Sequence, residues 1–154
     1  MSTDTPALST IELPATGDRH LKLADFKGQP LVVYFYPRDN TPGCTKQGQG
    51  FRDLYAEFQA QGCDVIGVSR DTVASHEKFA AKQEFPFALI ADTDEKLCEQ
   101  FDVIKEKNMY GKKVQGIERS TFLFDSEGNL VKEWRKVRVP GHVEEVLEAV
   151  KALA

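Results

Sequence analysis

The run Leu31 to Tyr36 is continuously apolar and consists of residues that favour β-strands. A strand of this kind is buried on both faces, so its sheet must be covered by other elements on two sides. Asp64 to Ser69 has the same character. Apolar residues at helical spacing follow each strand, from Thr45 to Gln61 and from Asp71 to Gln83. The sequence therefore predicts an α/β fold.

The rest of the chain continues the alternation. A Ser126-Glu127-Gly128-Asn129 turn predicts a hairpin late in the chain. The other predicted elements are a strand over 11–15, a turn at Gly17-Asp18, a connector from Leu21 to Gly28, a strand from Phe87 to Ala91, a helix from Asp94 to Phe101, hairpin strands from Ser120 to Asp125 and from Leu130 to Arg135, and a helix from Val143 to Ala152. This order predicts a central mixed sheet flanked by helices, and it matches the thioredoxin-like fold.

The bulk composition narrows the functional classes. With 154 residues, the chain fits one domain over 1–154. A net charge of −4 argues against a nucleic acid or an anionic membrane as partner. No apolar run approaches the roughly 20 residues of a membrane helix. The first residues lack the basic and apolar regions of a secretory signal, so we expect a cytoplasmic location.

Metal and dithiol chemistry are not predicted. The three cysteines include no Cys-x-x-Cys pair, which disfavours a thioredoxin-type dithiol enzyme and a zinc ribbon. None of His20, His76 and His142 has metal-ligand spacing with another. His76, beside Glu77 and Lys78, is predicted to lie on a helix surface, and His142 to be a local structural residue.

Two further features are predicted to be structural. The run Lys105-Glu106-Lys107-Asn108, with Lys112-Lys113 beyond Tyr110-Gly111, is expected to form a solvated, mobile basic loop. Trp134 is expected to pack in or near the core.

Cys44 is the residue that points to function. It follows an apolar strand and a turn-rich loop, and it lies where the next helix is predicted to begin. A helix N-terminus presents unpaired N–H groups and partial positive charge. That setting favours the thiolate, which is the nucleophilic form of cysteine. We therefore predict a reactive sulfur, not a structural one.

The spacing Pro37-x-x-x-Thr41-x-x-Cys44 resembles the active-site motif of the peroxiredoxins. The similarity runs from about Leu31 to the C-terminus and is greatest to the bacterioferritin comigratory protein, or peroxiredoxin Q, subfamily. Other segments that resemble the family are Gly62 to Ser69, Phe85-Pro86-Phe87, Asp92-x-Asp94 and Gly116 to Leu123, the last resembling the strand that holds the family's active-site arginine.

The resemblance implies a thiol-dependent peroxidase for hydrogen peroxide and small organic hydroperoxides, without metal, haem or flavin. Cys44 would be the nucleophile and become a sulfenic acid. Arg119 would hold the thiolate and donate hydrogen bonds to the peroxide. Thr41 would orient the sulfur or the peroxide, backbone N–H groups of Gly43 and Cys44 would complete the cradle, and Pro37 would fix the loop and limit water access.

The residues alone leave other roles open for two of these side chains. Thr41 could cap the helix, with or without a catalytic role. Arg119 could form an ordinary surface ion pair with Glu118.

The chain departs from its apparent relatives in its cysteines. Many members carry a resolving cysteine five residues after the reactive one, where this chain has Gln49. Others place it in the segment occupied here by Phe79 to Lys82, which also lacks cysteine. Cys63 and Cys98 are both predicted to be buried and inert. The expected outcome is a one-cysteine cycle, with thioredoxin or glutathione and glutaredoxin as reductant.

Several alternatives stay open at this point. Cys98 could act as an unconventional resolving cysteine after local unfolding, because a disulfide needs Cα atoms within roughly 7 Å. The chain could also be a peroxide-sensing signalling protein that uses the same Cys44, a thiol transferase, or a domain that has lost activity. The subfamily resemblance suggests a monomer.

Overall fold

The computed structural model describes residues 8–109 and 111–153. Strands and helices alternate along the chain as the sequence predicts. In order they are β1 (Leu13–Ala15), β2 (Arg19–Leu21), a 3-10 helix (Leu23–Phe26), β3 (Leu31–Phe35), α1 (Pro42–Ala60), β4 (Asp64–Ser69), α2 (Val73–Gln83), β5 (Ala88–Ala91), α3 (Lys96–Gln100), β6 (Ile104–Met109), β7 (Lys112–Ile117), β8 (Ser120–Phe124), β9 (Leu130–Trp134) and α4 (His142–Lys151).

Seven strands form one mixed sheet in the order β2-β1-β5-β4-β3-β8-β9. The apolar strand β3 lies inside it, parallel to β4 and antiparallel to β8. β5 continues the parallel part beyond β4, and β9 closes the antiparallel side beyond β8. The predicted α/β class with a central mixed sheet is confirmed.

Alternate residues of β3 point to opposite faces of the sheet, and each set enters a different core. Leu31, Val33 and Phe35 pack in the α3-side core, which includes Leu97 of α3 and Phe101 just after it. The alternate residues pack in the α1-side core, whose main members are Val32, Tyr34, Tyr36, Cys44, Phe51, Phe58, Cys63, Phe79 and Val146. Both faces of β3 are therefore covered, as its apolar run predicts.

The start of α1 differs from the prediction in a way that matters for the site. The helix begins at Pro42, three residues before the predicted start at Thr45. Proline suits the first turn of a helix because the missing N–H has no intrahelical partner there. The glycine at position 48, which alone would weaken a helix, leaves space for the ring of Phe85. Cys44 therefore lies inside the first helical turn.

The predicted mobile loop around Lys105 and Lys113 is wrong. β6 and β7 form an antiparallel hairpin in which Lys105 is opposite Gly116 and Asn108 is opposite Lys113. These strands pair with each other and not with the main sheet, so charged residues can occupy them and hide the strand pattern. Tyr110, in the same segment, lies outside the described residues.

Among the residues that the structure describes, no helix has the length and apolar character needed to cross a bilayer.

Candidate active site

Cys44 occupies the third position of α1 and is 2% exposed. The first intrahelical hydrogen bond runs from the Thr45 N–H to the Thr41 carbonyl at 2.8 Å. The N–H groups of Gly43 and Cys44 precede it, and the Thr41 side chain does not cap the helix. These N–H groups are therefore available at the positive end of the helix, beside the sulfur.

Arg119 reaches Cys44 from a distant part of the sequence. Its Nη2 lies 3.5 Å from Cys44 Sγ, although the two residues are 75 positions apart. Arg119 sits in the link between β7 and β8, one residue before Ser120, which is opposite Phe35 of β3. Because Cys44 follows the same end of β3, the antiparallel pairing brings the guanidinium to the first turn of α1. Arg119 therefore lies just before β8, whereas the resemblance of Gly116 to Leu123 places the arginine within a strand.

Gly43 provides room for this guanidinium. A Cβ atom at position 43 would lie 3.0 Å from Arg119 Nη2, which is closer than almost all real Cβ contacts. The absence of a side chain thus permits the approach of Arg119 to Cys44. The sequence pattern indicated only the backbone N–H of this residue.

Gln47 is a site residue that sequence reasoning missed. It is fully buried, and its Oε1 accepts a hydrogen bond from Arg119 Nη1 at 2.7 Å. Its Nε2 has no hydrogen-bond partner among the described residues. Residues three apart share a helix face, so the spacing from Cys44 was an available signal.

The Thr41 hydroxyl donates to the Arg38 carbonyl at 2.9 Å and does not cap α1. That bond fixes the direction of the O–H and leaves the oxygen free to accept. Pro37 lies half-buried in the loop after β3, where it lines a recess with Arg70 and Glu95.

Two buried tyrosines form an apolar wall on the same side of the sheet as Cys44. The ring of Tyr34 stacks on Phe51 of α1 at 4.6 Å and on Tyr36 at 5.5 Å. Burial, followed by the negative charges of Cys44 and Asp39, raises the pKa of Tyr34 well above its ordinary value. The phenol therefore stays neutral beside the reactive sulfur.

The other two cysteines are buried as predicted. The Cys63 thiol donates to the Asp64 carbonyl, and burial together with the Asp64 carboxylate raises its pKa to about 12. Burial and the Asp92 carboxylate also raise the pKa of Cys98. Both thiols are therefore protonated near neutral pH, and neither is a ready nucleophile.

Distance separates both thiols from Cys44. Cys98 belongs to the α3-side core, across the sheet. Cys63 follows the far end of α1, and the helix alone spans about 24 Å from Cys44 to Ala60 at 1.5 Å per residue. Disulfide formation needs Cα atoms within about 7 Å.

Gln49 ties α1 to α2. Its Nε2 donates to Gln83 Oε1 at 2.8 Å, and Arg52 Nη1 donates to the Gln83 carbonyl at 2.9 Å. The position at which many apparent relatives carry a resolving cysteine thus makes a structural contact here.

The predicted surface position of His76 is wrong, because the side chain is fully buried. Its Nδ1 lies 2.7 Å from Asp39 Oδ2, and its Nε2 lies 2.9 Å from the Ile90 carbonyl. The charged neighbours Glu77 and Lys78 suggested exposure. The better signal was Phe79, which is three residues later on the same helix face and is also buried.

His142 and Trp134 occupy positions close to those predicted. His142 is buried at the start of α4, with its Nε2 2.9 Å from Thr121 Oγ1. Burial is the main factor that lowers the pKa of His142 to about 4. Trp134 is half-buried, and its indole N–H donates to Glu145. Neither residue contacts Cys44 through the bonds described.

Comparison with known proteins shows the class of this chain. Residues 5–133 match the model of the AhpC/TSA family. A peroxiredoxin Bcp of Xanthomonas campestris pv. campestris is 55% identical over 148 residues, which cover 95% of this chain and 92% of that protein.

Solved structures agree with this result. A Xanthomonas campestris peroxiredoxin Q structure is 52% identical with a TM-score of 0.90, covering 97% of this chain and 98% of that one. A structure of the Xanthomonas campestris bacterioferritin comigratory protein, described for its alkyl peroxide reduction activity, is 54% identical with a TM-score of 0.88. It covers 92% of this chain and 90% of that chain.

The chain therefore belongs to the AhpC/TSA family of peroxiredoxins. Within it, the chain falls in the subfamily of the bacterioferritin comigratory proteins, also called peroxiredoxin Q. The predicted thioredoxin-like fold and the thiol-dependent peroxidase activity are confirmed.

Proposed function

We propose that the protein reduces hydrogen peroxide and small organic hydroperoxides by a one-cysteine cycle centred on Cys44. The observation that supports this most directly is the contact between Arg119 Nη2 and Cys44 Sγ at 3.5 Å, in the first turn of α1. The guanidinium contacts the sulfur, and the backbone N–H groups of Gly43 and Cys44 lie in the same helical turn, before the first intrahelical hydrogen bond. They can stabilise a thiolate and the negative charge that moves onto a departing oxygen.

The chemical step needs only the Cys44 thiolate, the hydroperoxide and a proton from solvent. The Cys44 thiolate attacks the hydroxyl oxygen of the hydroperoxide, so a sulfur–oxygen bond forms as the oxygen–oxygen bond breaks. The products are Cys44 sulfenic acid and an alkoxide or hydroxide, which takes a proton from solvent. Arg119 and the N–H groups of Gly43 and Cys44 donate to the peroxide oxygens, and the Thr41 oxygen accepts the peroxide O–H.

Gln47 and Pro37 support this arrangement. Gln47 accepts from Nη1 of Arg119 and so directs Nη2 toward the sulfur. Pro37 stiffens the loop and limits the access of water to the sulfur.

The one-cysteine cycle is supported by the positions of the other thiols. Cys63 and Cys98 are buried, protonated and distant, and Gln49 is engaged with Gln83. An external thiol would condense with the sulfenic acid and release water, and a second thiol would free Cys44 as a disulfide leaves. We propose thioredoxin or glutathione with glutaredoxin as this reductant, a cytoplasmic location and a monomeric enzyme.

The test is the mass of the reduced protein after one equivalent of hydrogen peroxide, with and without a sulfenic-acid trap. We expect one added oxygen that the trap captures on Cys44. A Cys63→Ser/Cys98→Ser variant is the matched control, and it should consume peroxide with added thiol as fast as the wild type.

Two results would contradict the proposal. Loss of two hydrogens without trapping would mean that Cys63 or Cys98 resolves Cys44. A trapped sulfenic acid without sustained turnover in either thiol system would favour a peroxide sensor.

A further inference from the structure

Asp39, in the loop between β3 and α1, is buried and makes four hydrogen bonds, three of them to the segment that begins α2. Its Oδ1 accepts from the Tyr36 hydroxyl at 2.6 Å. Its Oδ2 accepts from the Ser75 hydroxyl at 2.8 Å and lies 2.7 Å from His76 Nδ1. Its own N–H donates to Asp71 Oδ2 at 2.8 Å. Side chain and backbone together fasten the loop to the start of α2.

The partners of His76 define its protonation. A carbonyl oxygen only accepts, so Nε2 must carry a hydrogen toward the Ile90 carbonyl. Nδ1 faces a carboxylate oxygen that already accepts from Ser75, so it carries a hydrogen as well. With the Asp39 side chain ionised, His76 is then an imidazolium that is fully buried and paired with this carboxylate.

The other groups that face this pair are compatible with a single buried cation. Asp71 accepts from the Ser69 hydroxyl and the Asp39 N–H, which stabilise its carboxylate. Burial is the main factor that raises the pKa of Tyr36, so its phenol is a neutral donor. Removing one member of a buried ion pair leaves the other charge uncompensated, which is why such a pair holds its segments firmly.

The loop that this pair fastens leads directly into the active site. Thr41 is two residues after Asp39, and its hydroxyl is held by Arg38 of the same loop. Cys44 follows one helical turn later. A displacement of the loop therefore moves the Thr41 oxygen and the helix N–H groups relative to Arg119, which lies just before β8.

We propose that Asp39 and His76 are positioning residues for peroxide reduction, since the hydrogen bond between His76 Nδ1 and the buried Asp39 carboxylate sets the place of the loop that orients Thr41 and Cys44. This inference rests on the proposed role of Cys44. It assigns a function to a buried pair, formed between the β3–α1 loop and α2, that does not contact the reacting sulfur.

A metal ion is the competing explanation of the cluster. Ligand atoms of Asp39, Asp71 and His76 all lie within 4.8 Å of one another. A cation bound by Nδ1 would have to replace the hydrogen that joins His76 to Asp39. The donors from Tyr36, Ser69 and Ser75 already engage the carboxylates, which favours the proton over the metal.

Two substitutions at position 76 separate positioning from simple packing. The amide of His76→Asn can replace Nδ1 and keep the bond to Asp39, whereas His76→Gln can replace Nε2 and keep only the bond to Ile90. Each variant loses one hydrogen bond and the charge. We expect His76→Asn to oxidise Cys44 within about fivefold of the wild-type rate, and His76→Gln to be slower by about 100-fold.

The measurements are the second-order rate of Cys44 oxidation by hydrogen peroxide and the thermal midpoint of each variant. Glu77→Gln is the matched control, because Glu77 is the next residue on α2 and binds the Gly17 N–H away from the loop. It should keep the wild-type rate. Equal rates for the Asn and Gln variants, or rates that follow the thermal midpoints alone, would overturn the positioning role.

Measurements on the wild type keep the proposal testable if a variant fails to fold. Nitrogen NMR of the imidazole should show hydrogens on both ring nitrogens of His76 at neutral pH; a neutral ring would refute the ion pair. If the purified protein contains stoichiometric metal and the His76→Asn variant does not, the cluster is a cation site and the ion pair is refuted. If peroxide does not oxidise Cys44 at all, the proposed function fails, while the NMR result still decides the ion pair.

Discussion

On the α3 side of the sheet, alternate residues of β3 pack among aliphatic and phenylalanine side chains around Phe101. On the α1 side, the same strand presents Tyr34, Tyr36 follows it directly, and the neighbouring helix adds Cys44 and Gln47. One strand thus supports an apolar core on one face and the candidate active site on the other. The difference arises because the N-terminus of α1 opens on only one of these faces, at the end of β3.

The largest effect is expected from a substitution in the α3-side core, which should lower the free energy of unfolding and leave peroxide reduction unchanged. Phe101 is fully buried and contacts Phe35 and Phe122 with ring centroids 5.0 and 4.8 Å apart. We expect Phe101→Ala to lower the free energy of unfolding by about 3–5 kcal/mol. Denaturant unfolding measures this loss, and the folded fraction should keep its peroxide rate.

The matched variant on the other side is Phe51→Ala. Phe51 stacks on Tyr34 beside Cys44, so its replacement by alanine should lower both the stability and the rate of peroxide reduction. An equal decrease in peroxide rate for the two phenylalanine variants would remove the distinction between the faces.

A comparable effect, confined to chemistry, is expected at Arg119. Replacement by methionine removes the donor at 3.5 Å from Cys44 Sγ. The rate of Cys44 oxidation should fall by about 100- to 1,000-fold, which is typical for loss of one group that stabilises developing charge. Arg119→Lys keeps the charge but not the planar guanidinium with its several N–H donors. Its rate of Cys44 oxidation should lie between those of the wild type and Arg119→Met. A wild-type rate in Arg119→Met would exclude its catalytic role.

His142 tests the α1 side through acid stability. Burial lowers the pKa of His142 from 6.5 to about 4, so the unfolded chain takes up this proton first as the pH falls. The contribution of the neutral His142 to the free energy of unfolding is fully present above pH 6.5. It decreases as the pH falls from 6.5 to about 4, and below that it stays constant. The loss of unfolding free energy over this range should reach about 2–3 kcal/mol.

The measurement is the free energy of unfolding against pH for the wild type and His142→Gln. The difference between the two curves isolates this histidine from the carboxylates, because only the wild type has the ionisation. Parallel curves between pH 6.5 and 4 would show that His142 is not held neutral in the fold.

The smallest effect is expected at Gly43. An alanine Cβ would press against Arg119 Nη2, but the guanidinium is the end of a flexible chain and can shift. We expect Gly43→Ala to slow Cys44 oxidation about tenfold. In the Arg119→Met background the same change should have little effect, since the contact is already gone. Independent effects of the two changes would argue against this contact.

Local pattern was enough to predict the elements that hold Cys44. The apolar run of β3, the turn-rich loop and the spacing of α1 are all short-range features, and they place the cysteine at a helix N-terminus. Arg119 could be chosen only from the family resemblance, because its contact depends on the register between β8 and β3. That register cannot be predicted from any local sequence pattern.

The errors have local causes. The charged neighbours of His76 favour a surface position, whereas its spacing from Phe79 favours burial, and the structure agrees with the spacing. The hairpin at Lys105 shows no strand pattern in the sequence, because β6 and β7 pair only with each other and, among the described residues, contact the core only through those at their base, Ile104 and Ile117. β2, with three largely exposed residues, shows too little periodicity to be distinguished from a loop.

In the proposed cycle, the sheet that separates Cys98 from Cys44 also determines the kinetic order of the step that removes the sulfenic acid. An internal resolving thiol removes the sulfenic acid in a unimolecular step whose rate is fixed by the protein. In a one-cysteine cycle that step becomes bimolecular, and the lifetime of the oxidised enzyme varies inversely with the concentration of reductant. When reductant is scarce, a second peroxide competes for the same sulfur, so over-oxidation of Cys44 would reflect thiol supply as much as peroxide load.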